Sequence, residues 1–236
     1  MSDYRRLEQQ LASDLGLTRR PVAVSFRSDP PAGVTAFVGV QPSGCSFWRI
    51  ASDGRTFYTV AADHYNCPIG SYTHNISPPA ERAGELEETL GFMTNVGYIR
   101  MEEVPAIPRL AATPGVVVYA PLGDAPVDPD VVLFWGPPGR VMLLQEAAMR
   151  AGVAAQLTTL ARPTCMVLPA ALAHGVVAST GCIGNRVYTA LDDADLYVAI
   201  PGKDIGRIAD ETRVIRAAND ALAEYHRGRQ AELAAP

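Results

Sequence analysis

"TFYTVAADHYNCPIG" occupies residues 56–70, and "GVVASTGCIGNRVYT" occupies residues 175–189. Each begins with a short run of aromatic or β-branched residues that reads as a strand. Each then turns at a cysteine, Cys67 or Cys182, with Ile-Gly inside the next three residues and a Tyr-Thr pair close behind. The two remaining cysteines, Cys45 and Cys165, stand about twenty positions ahead of these turns. Further upstream the order still matches. "PVAVSF" (21–26), Pro30-Pro31 and Cys45 answer to "DVVLFW" (130–135), Pro137-Pro138, an added helix and Cys165. This order predicts an α/β (or α+β) fold with mixed sheets and flanking helices, built as two structurally related lobes, 18–113 and 114–236, within a single domain 1–236. An internal duplication is one account of the repeat. Chance recurrence in a chain with 19 prolines and 20 glycines is the other.

Working outward, the pattern predicts helices over about 4–15, 45–52, 79–96, 140–152, 165–175 and 208–229. Strands are expected at 21–26, 33–40, 56–62, 114–122, 130–135, 175–180 and 194–202, and 63–71 reads as a polar loop. The chain has 236 residues, nearly half of them apolar and about a fifth charged, which suits a globular protein with a substantial core. A net charge of -5 supplies no footprint for nucleic acid or an anionic membrane surface. No apolar run approaches the roughly 18 residues of a membrane span. The first seventeen residues pattern as an amphipathic helix and lack a signal-peptide core. A soluble, cytoplasmic protein is expected, with no nucleic acid and no membrane among its partners.

In a reducing compartment, grouped thiols more often bind metal or do redox chemistry than form disulfides. Cysteine ligates as thiolate, and sets of soft thiolates select zinc, copper(I) or iron–sulfur clusters. No Cys-x2-Cys pair is present, so neither a zinc ribbon nor a bacterial ferredoxin motif is supported. What remains is a dispersed set, one cysteine per loop or helix start, that the fold would have to bring together. Gly70 and Gly184, close behind Cys67 and Cys182, would let backbone N–H groups approach a large anionic group. Cys45 and Cys165 sit where helices can begin, an environment that favours thiolate. The competing readings are two disulfides or four inert buried thiols.

His64, in "DHYNC", is a candidate acid/base group or ligand, with a surface polar loop as the plain alternative; His74 lies seven residues beyond Cys67. Arg186 would balance thiolate charge or hold an anionic substrate, against a simple salt bridge to the acidic "LDDAD" downstream. Arg49 and Arg162 stand near the other two cysteines, and His174 reads as a helix-end cap. There is no phosphate loop, Gly-x-Ser-x-Gly elbow, His-Glu-x-x-His or dinucleotide fingerprint.

"CSFWRIASDGRTFYTVAADHYNCPIG", "RPTCMVLPAALAHG" and "STGCIGNRVYT" followed by "LYVAIPG" resemble the family of domain of unknown function 169, widespread in archaea and bacteria. The resemblance runs from about Val22 to the terminal helix. It implies Cys45, His64, Cys67, Cys165, Cys182, Gly184 and Arg186 as landmark residues, and that the four cysteines act together; it carries no reaction. The expectation is an iron–sulfur protein with one [4Fe-4S]-type cluster on Cys45, Cys67, Cys165 and Cys182. Its role would be electron transfer, redox sensing or cluster-dependent chemistry on a small molecule, with a small-molecule substrate or redox partner protein and oligomeric state left open. The alternatives are a zinc-bearing or metal-free small-ligand-binding protein, or a thiol enzyme using Cys182 as nucleophile.

Overall fold

The computed structural model describes residues 3–153, 158–160 and 162–234. The first half runs through α1 (Tyr4–Leu15), β1 (Val22–Arg27), α2 (Gly44–Ser52), β2 (Phe57–Thr59), α3 (Ala61–His64), α4 (Pro68–Thr73), α5 (Glu85–Asn95) and β3 (Val116–Pro121). The second runs through β4 (Val131–Gly136), α6 (Pro138–Arg150), β5 (Thr158–Leu160), α7 (Val167–His174), β6 (Val177–Ser179), α8 (Ile183–Thr189), β7 (Leu196–Pro201) and α9 (Ile205–Ala234). The strands form one mixed sheet in the order β2-β3-β1-β4-β7-β6-β5. Every pairing is antiparallel except β5 with β6 at one edge.

The sheet order repeats about its middle. In the first half, β1 pairs with β3, and β3 carries β2 on its far side. In the second, β4 pairs with β7, and β7 carries β6. The halves meet where β1 and β4 pair through Val22–Leu133, Ala23–Val132 and Val24–Val131. They therefore share one sheet, and β3, at the head of the lobe expected over 114–236, hydrogen-bonds between β1 and β2 of the first half.

The pleat sends alternate residues to opposite faces. Ala23, Val132, Phe134, Val198 and Ile200 face Leu11 and Leu15 of α1, Leu144 of α6 and Ile208 of α9. Val22, Val24, Leu133, Tyr119 and Ala199 face the other layer, which includes Phe47 and Trp48 of α2, Val167 of α7, and both Cys45 and Cys165. Both faces of the central strands are covered, which is why "VVVYAP" and "VVLFWG" read as unbroken apolar runs rather than alternating ones.

The expected strand over 33–40 does not form. Only Ala36 bridges Tyr58, while Val38 and Val40 are exposed and Gly33 and Gly39 take positive φ. The expected loop at 63–71 contains parts of α3 and α4, and α8 occupies the stretch after Cys182 that sequence patterning reads as a second cysteine loop. The pattern over 79–96 divides into a 3-10 turn, Ala80–Arg82, and α5. Among the described residues no helix is long and apolar enough to cross a membrane.

Gly202 closes β7 against the neighbouring backbone. A Cβ there would collide with the carbonyl of Pro129, a backbone group with nowhere to retreat. Gly136, at the end of β4, has open space at the same position. Gly202→Ala is expected to cost about 2–3 kcal/mol in urea unfolding, with Gly136→Ala within about 0.5 kcal/mol of the parent. Equal midpoints for the two variants would contradict the close approach.

Candidate functional site

The four cysteines begin four helical turns on one face of the sheet. Cys45 is the second residue of α2, and Cys165 is the second residue of a 3-10 turn, Thr164–Met166, that runs straight into α7. Cys67 and Cys182 are the N-caps of α4 and α8. In both caps the sulfur accepts the amide three residues on: Gly70 N–H to Cys67 Sγ at 3.3 Å, and Asn185 N–H to Cys182 Sγ at 3.5 Å. Each half thus contributes one cysteine inside a first turn and one at a cap. The local reason is the orphaned amides of any helix start, here satisfied by sulfur instead of the usual oxygen.

The two halves also touch across the site. Cys165 Sγ lies 3.9 Å from the carbonyl of Ile69 in α4. Within the second half, Cys182 N–H donates to Thr164 Oγ1 at 2.5 Å. The Asn185 side chain faces the Cys45 thiol, and the Gly44 amide faces Cys67. Each of the four sulfurs is within electrostatic reach of the other three. All four are free, Cys45 and Cys165 buried, Cys67 and Cys182 half-buried.

Burial is the main cause that pushes Cys45 well above its ordinary thiol value, with Cys165, Cys67 and Cys182 adding to it. Cys165 is raised by burial, then by Cys67 and Cys182. Cys67 is raised by burial, against which the amides of Gly44 and Gly70 pull it back. In the metal-free protein these three are neutral thiols at pH 7. They become thiolates only beside a strong positive charge, and loading such a centre would release protons.

The donor set, four converging thiols with first-turn amides already on two sulfurs, fits a thiolate-ligated group. Gly70 completes the cradle, since a Cβ there would sit 2.9 Å from Cys67 Sγ. Among the described residues no group of three or more His, Cys, Asp or Glu is arranged to hold a single metal ion.

The other sequence candidates divide. His64 is buried, bonded through Nε2 to Thr59 Oγ1 at 2.8 Å, with Nδ1 unpartnered and pointing toward the Gly44 end of α2. His74 is buried against it, ring centres 5.3 Å apart, and holds the Gly70 carbonyl through Nδ1 at 2.9 Å. Arg186 spends its guanidinium on the loop flanking Cys182: the carbonyls of Thr180, Asp192 and Asp195 and the carboxylate of Asp193. Its visible role is to hold that loop. Arg49 pairs with Asp53 at 3.0 Å, and Arg162 with Glu103 at 3.0 Å. His174 is exposed at the last residue of α7.

Asn185 was not found by sequence reading. In the sequence Gly184 reads as the counterpart of Gly70, but the amide that reaches Cys182 belongs to Asn185. The available signal was positional: Gly70 and Asn185 each lie three residues after their cysteine, while the two glycines do not.

A protein-family model, DUF169 (Uncharacterised ArCR), matches residues 10–211, and the chain belongs to that family. No curated protein and no solved structure matches the chain.

His74 makes the fold acid-sensitive. Burial holds its pKa down at about 4, against about 6.5 for an unfolded histidine. Between those values the unfolded chain takes up a proton that the folded one refuses. The stability present above pH 6.5 is therefore lost as pH falls toward 4, by about 3 kcal/mol for this group at full effect. His64 acts in the same direction. Urea midpoints at pH 7.5 and 4.5 should show this loss in the parent and a smaller one in His74→Asn, whose amide can keep the bond to Gly70. An unchanged pH dependence in the variant would contradict it.

Proposed function

We propose that this DUF169 protein holds an iron–sulfur cluster of the [4Fe-4S] type on Cys45, Cys67, Cys165 and Cys182. The observation that carries the reading is the meeting of four helix starts, each with its cysteine in the same local role as its counterpart, on one face of one sheet. Soft thiolates select such clusters or zinc, and a cluster spans a larger volume than one ion. When bound, a cluster supplies one-electron chemistry, or Lewis acidity where an iron is left open to a substrate.

The protein's own part is to bind, to exclude water and to set the electrostatics. The Gly70 and Asn185 amides point at sulfur, and hydrogen bonds to ligand sulfur raise a cluster's reduction potential. Cys45, in the first turn of α2, and Cys165, in the 3-10 turn before α7, are buried, whereas Cys67 and Cys182 are half-buried, so exchange with a redox partner protein or small-molecule substrate would take place at their side of the site. His64 reaches toward the first turn of α2 and Arg186 braces the Cys182 loop; the first is the better candidate for contact with the reacting group. Thiolate chemistry of this kind belongs in a reducing compartment, the cytoplasm.

Protein prepared without oxygen from iron-supplied cells should be brown. Cys45→Ser, Cys67→Ser, Cys165→Ser and Cys182→Ser should each lose most of that absorption while circular dichroism reports a retained fold, and Arg186→Gln should keep it. A folded, colourless parent holding one zinc would overturn the cluster, and single-site alkylation of Cys182 without loss of metal would favour a thiol enzyme.

A further inference from the structure

α4 has two working faces. Ile69, Gly70 and Thr73 turn toward the thiols, while Pro68, Ser71 and Tyr72, one helical turn apart, line a groove of about 160 Å³ on the other side. A cavity of about 150 Å³ is known to take one benzene ring, so the groove has room for a small ring-sized molecule.

Its walls are mixed in a specific way. Ile76 and Leu86 supply apolar surface, and two arginines stand over two tyrosines: Arg82 over Tyr65 at 6.0 Å and Arg109 over Tyr72 at 4.3 Å. The arginines differ in charge balance. Arg82 is held by both oxygens of Glu85, at 2.7 and 2.8 Å, so the one carboxylate of the groove is already paired. Arg109 donates to the Tyr72 carbonyl at 2.9 Å and the Asn75 amide oxygen at 2.7 Å, both neutral, and among the described residues it makes no ion pair. Those bonds and the tyrosine ring fix its plane, leaving an ordered, uncompensated guanidinium beside an apolar wall.

We propose that this groove binds a small organic carboxylate with a flat apolar body, the carboxylate on Arg109 and the body against Ile76 and Leu86. The groove is built whether or not the thiols hold a cluster, so its test is separate from that of the cluster. A ligand there would lie across α4 from Cys67, which makes the groove a candidate substrate or effector site for the thiol centre.

The probe is benzoate, with benzyl alcohol as its uncharged match, titrated into the full chain by calorimetry and by proton–nitrogen correlation spectra. Benzoate should bind saturably, at least tenfold more tightly than benzyl alcohol, with shifts concentrated at residues 65–86 and 109. Arg109→Gln should lose tenfold or more in affinity and Arg109→Lys should recover part of it. Ser77→Trp, which fills the groove from its exposed rim and leaves Arg109 in place, should abolish binding in a folded protein. No benzoate binding by the parent, equal affinity for the two probes, or full affinity in Arg109→Gln would each overturn the proposal.

Discussion

Three residue pairs, Val22–Leu133, Ala23–Val132 and Val24–Val131, join β1 to β4 and so join the two halves of the sheet. The first half alone is three-stranded (β2, β3, β1) and the second four-stranded (β4, β7, β6, β5), and each carries two of the four cysteines. The antiparallel seam sets the units head to tail, so that the helices leaving β2 and β6 converge above it. All six seam residues are buried, and the alternation across the pleat divides them between the two helical layers. The seam therefore fixes which face receives the thiols. It also explains why one set of three helices, α1, α6 and α9, closes the opposite face without taking part in the site.

The chemistry above the seam follows from burial. Cys45, Cys67 and Cys165, placed together in an apolar layer, resist ionising, and the amides on Cys67 only partly compensate. Buried neutral thiols are poor nucleophiles, whereas as ligands of the proposed centre they would take their charge from the positive charge that it brings. Two buried neutral histidines, their rings tilted against each other, keep cationic charge out of the layer beside it.

Much of this was legible in the residues. The continuous apolar runs at 116–121 and 131–136 announced strands buried on both faces, and the double spacing of cysteines announced a shared site. The misreadings have physical causes. "GVTAFVGV" has strand composition, but its two positive-φ glycines and the lack of a partner for Val38 and Val40 leave it irregular. The helices after Cys67 and Cys182 were hidden because their N-cap is sulfur, not the serine, threonine, aspartate or asparagine that ordinarily marks a start. Asn185 was obscured by its neighbouring glycine, and the binding of Arg186 to backbone carbonyls depends on a loop path that charge pattern does not reveal.

The central claim is that four thiols from two halves of one sheet hold one inorganic centre. Iron and acid-labile sulfide determination on the anaerobically isolated parent chain tests it most directly. The account predicts about four irons and about four sulfides per chain, the composition of a four-thiolate cubane. Stoichiometric zinc without sulfide, or a chain that carries no metal and shows four titratable free thiols, would contradict it.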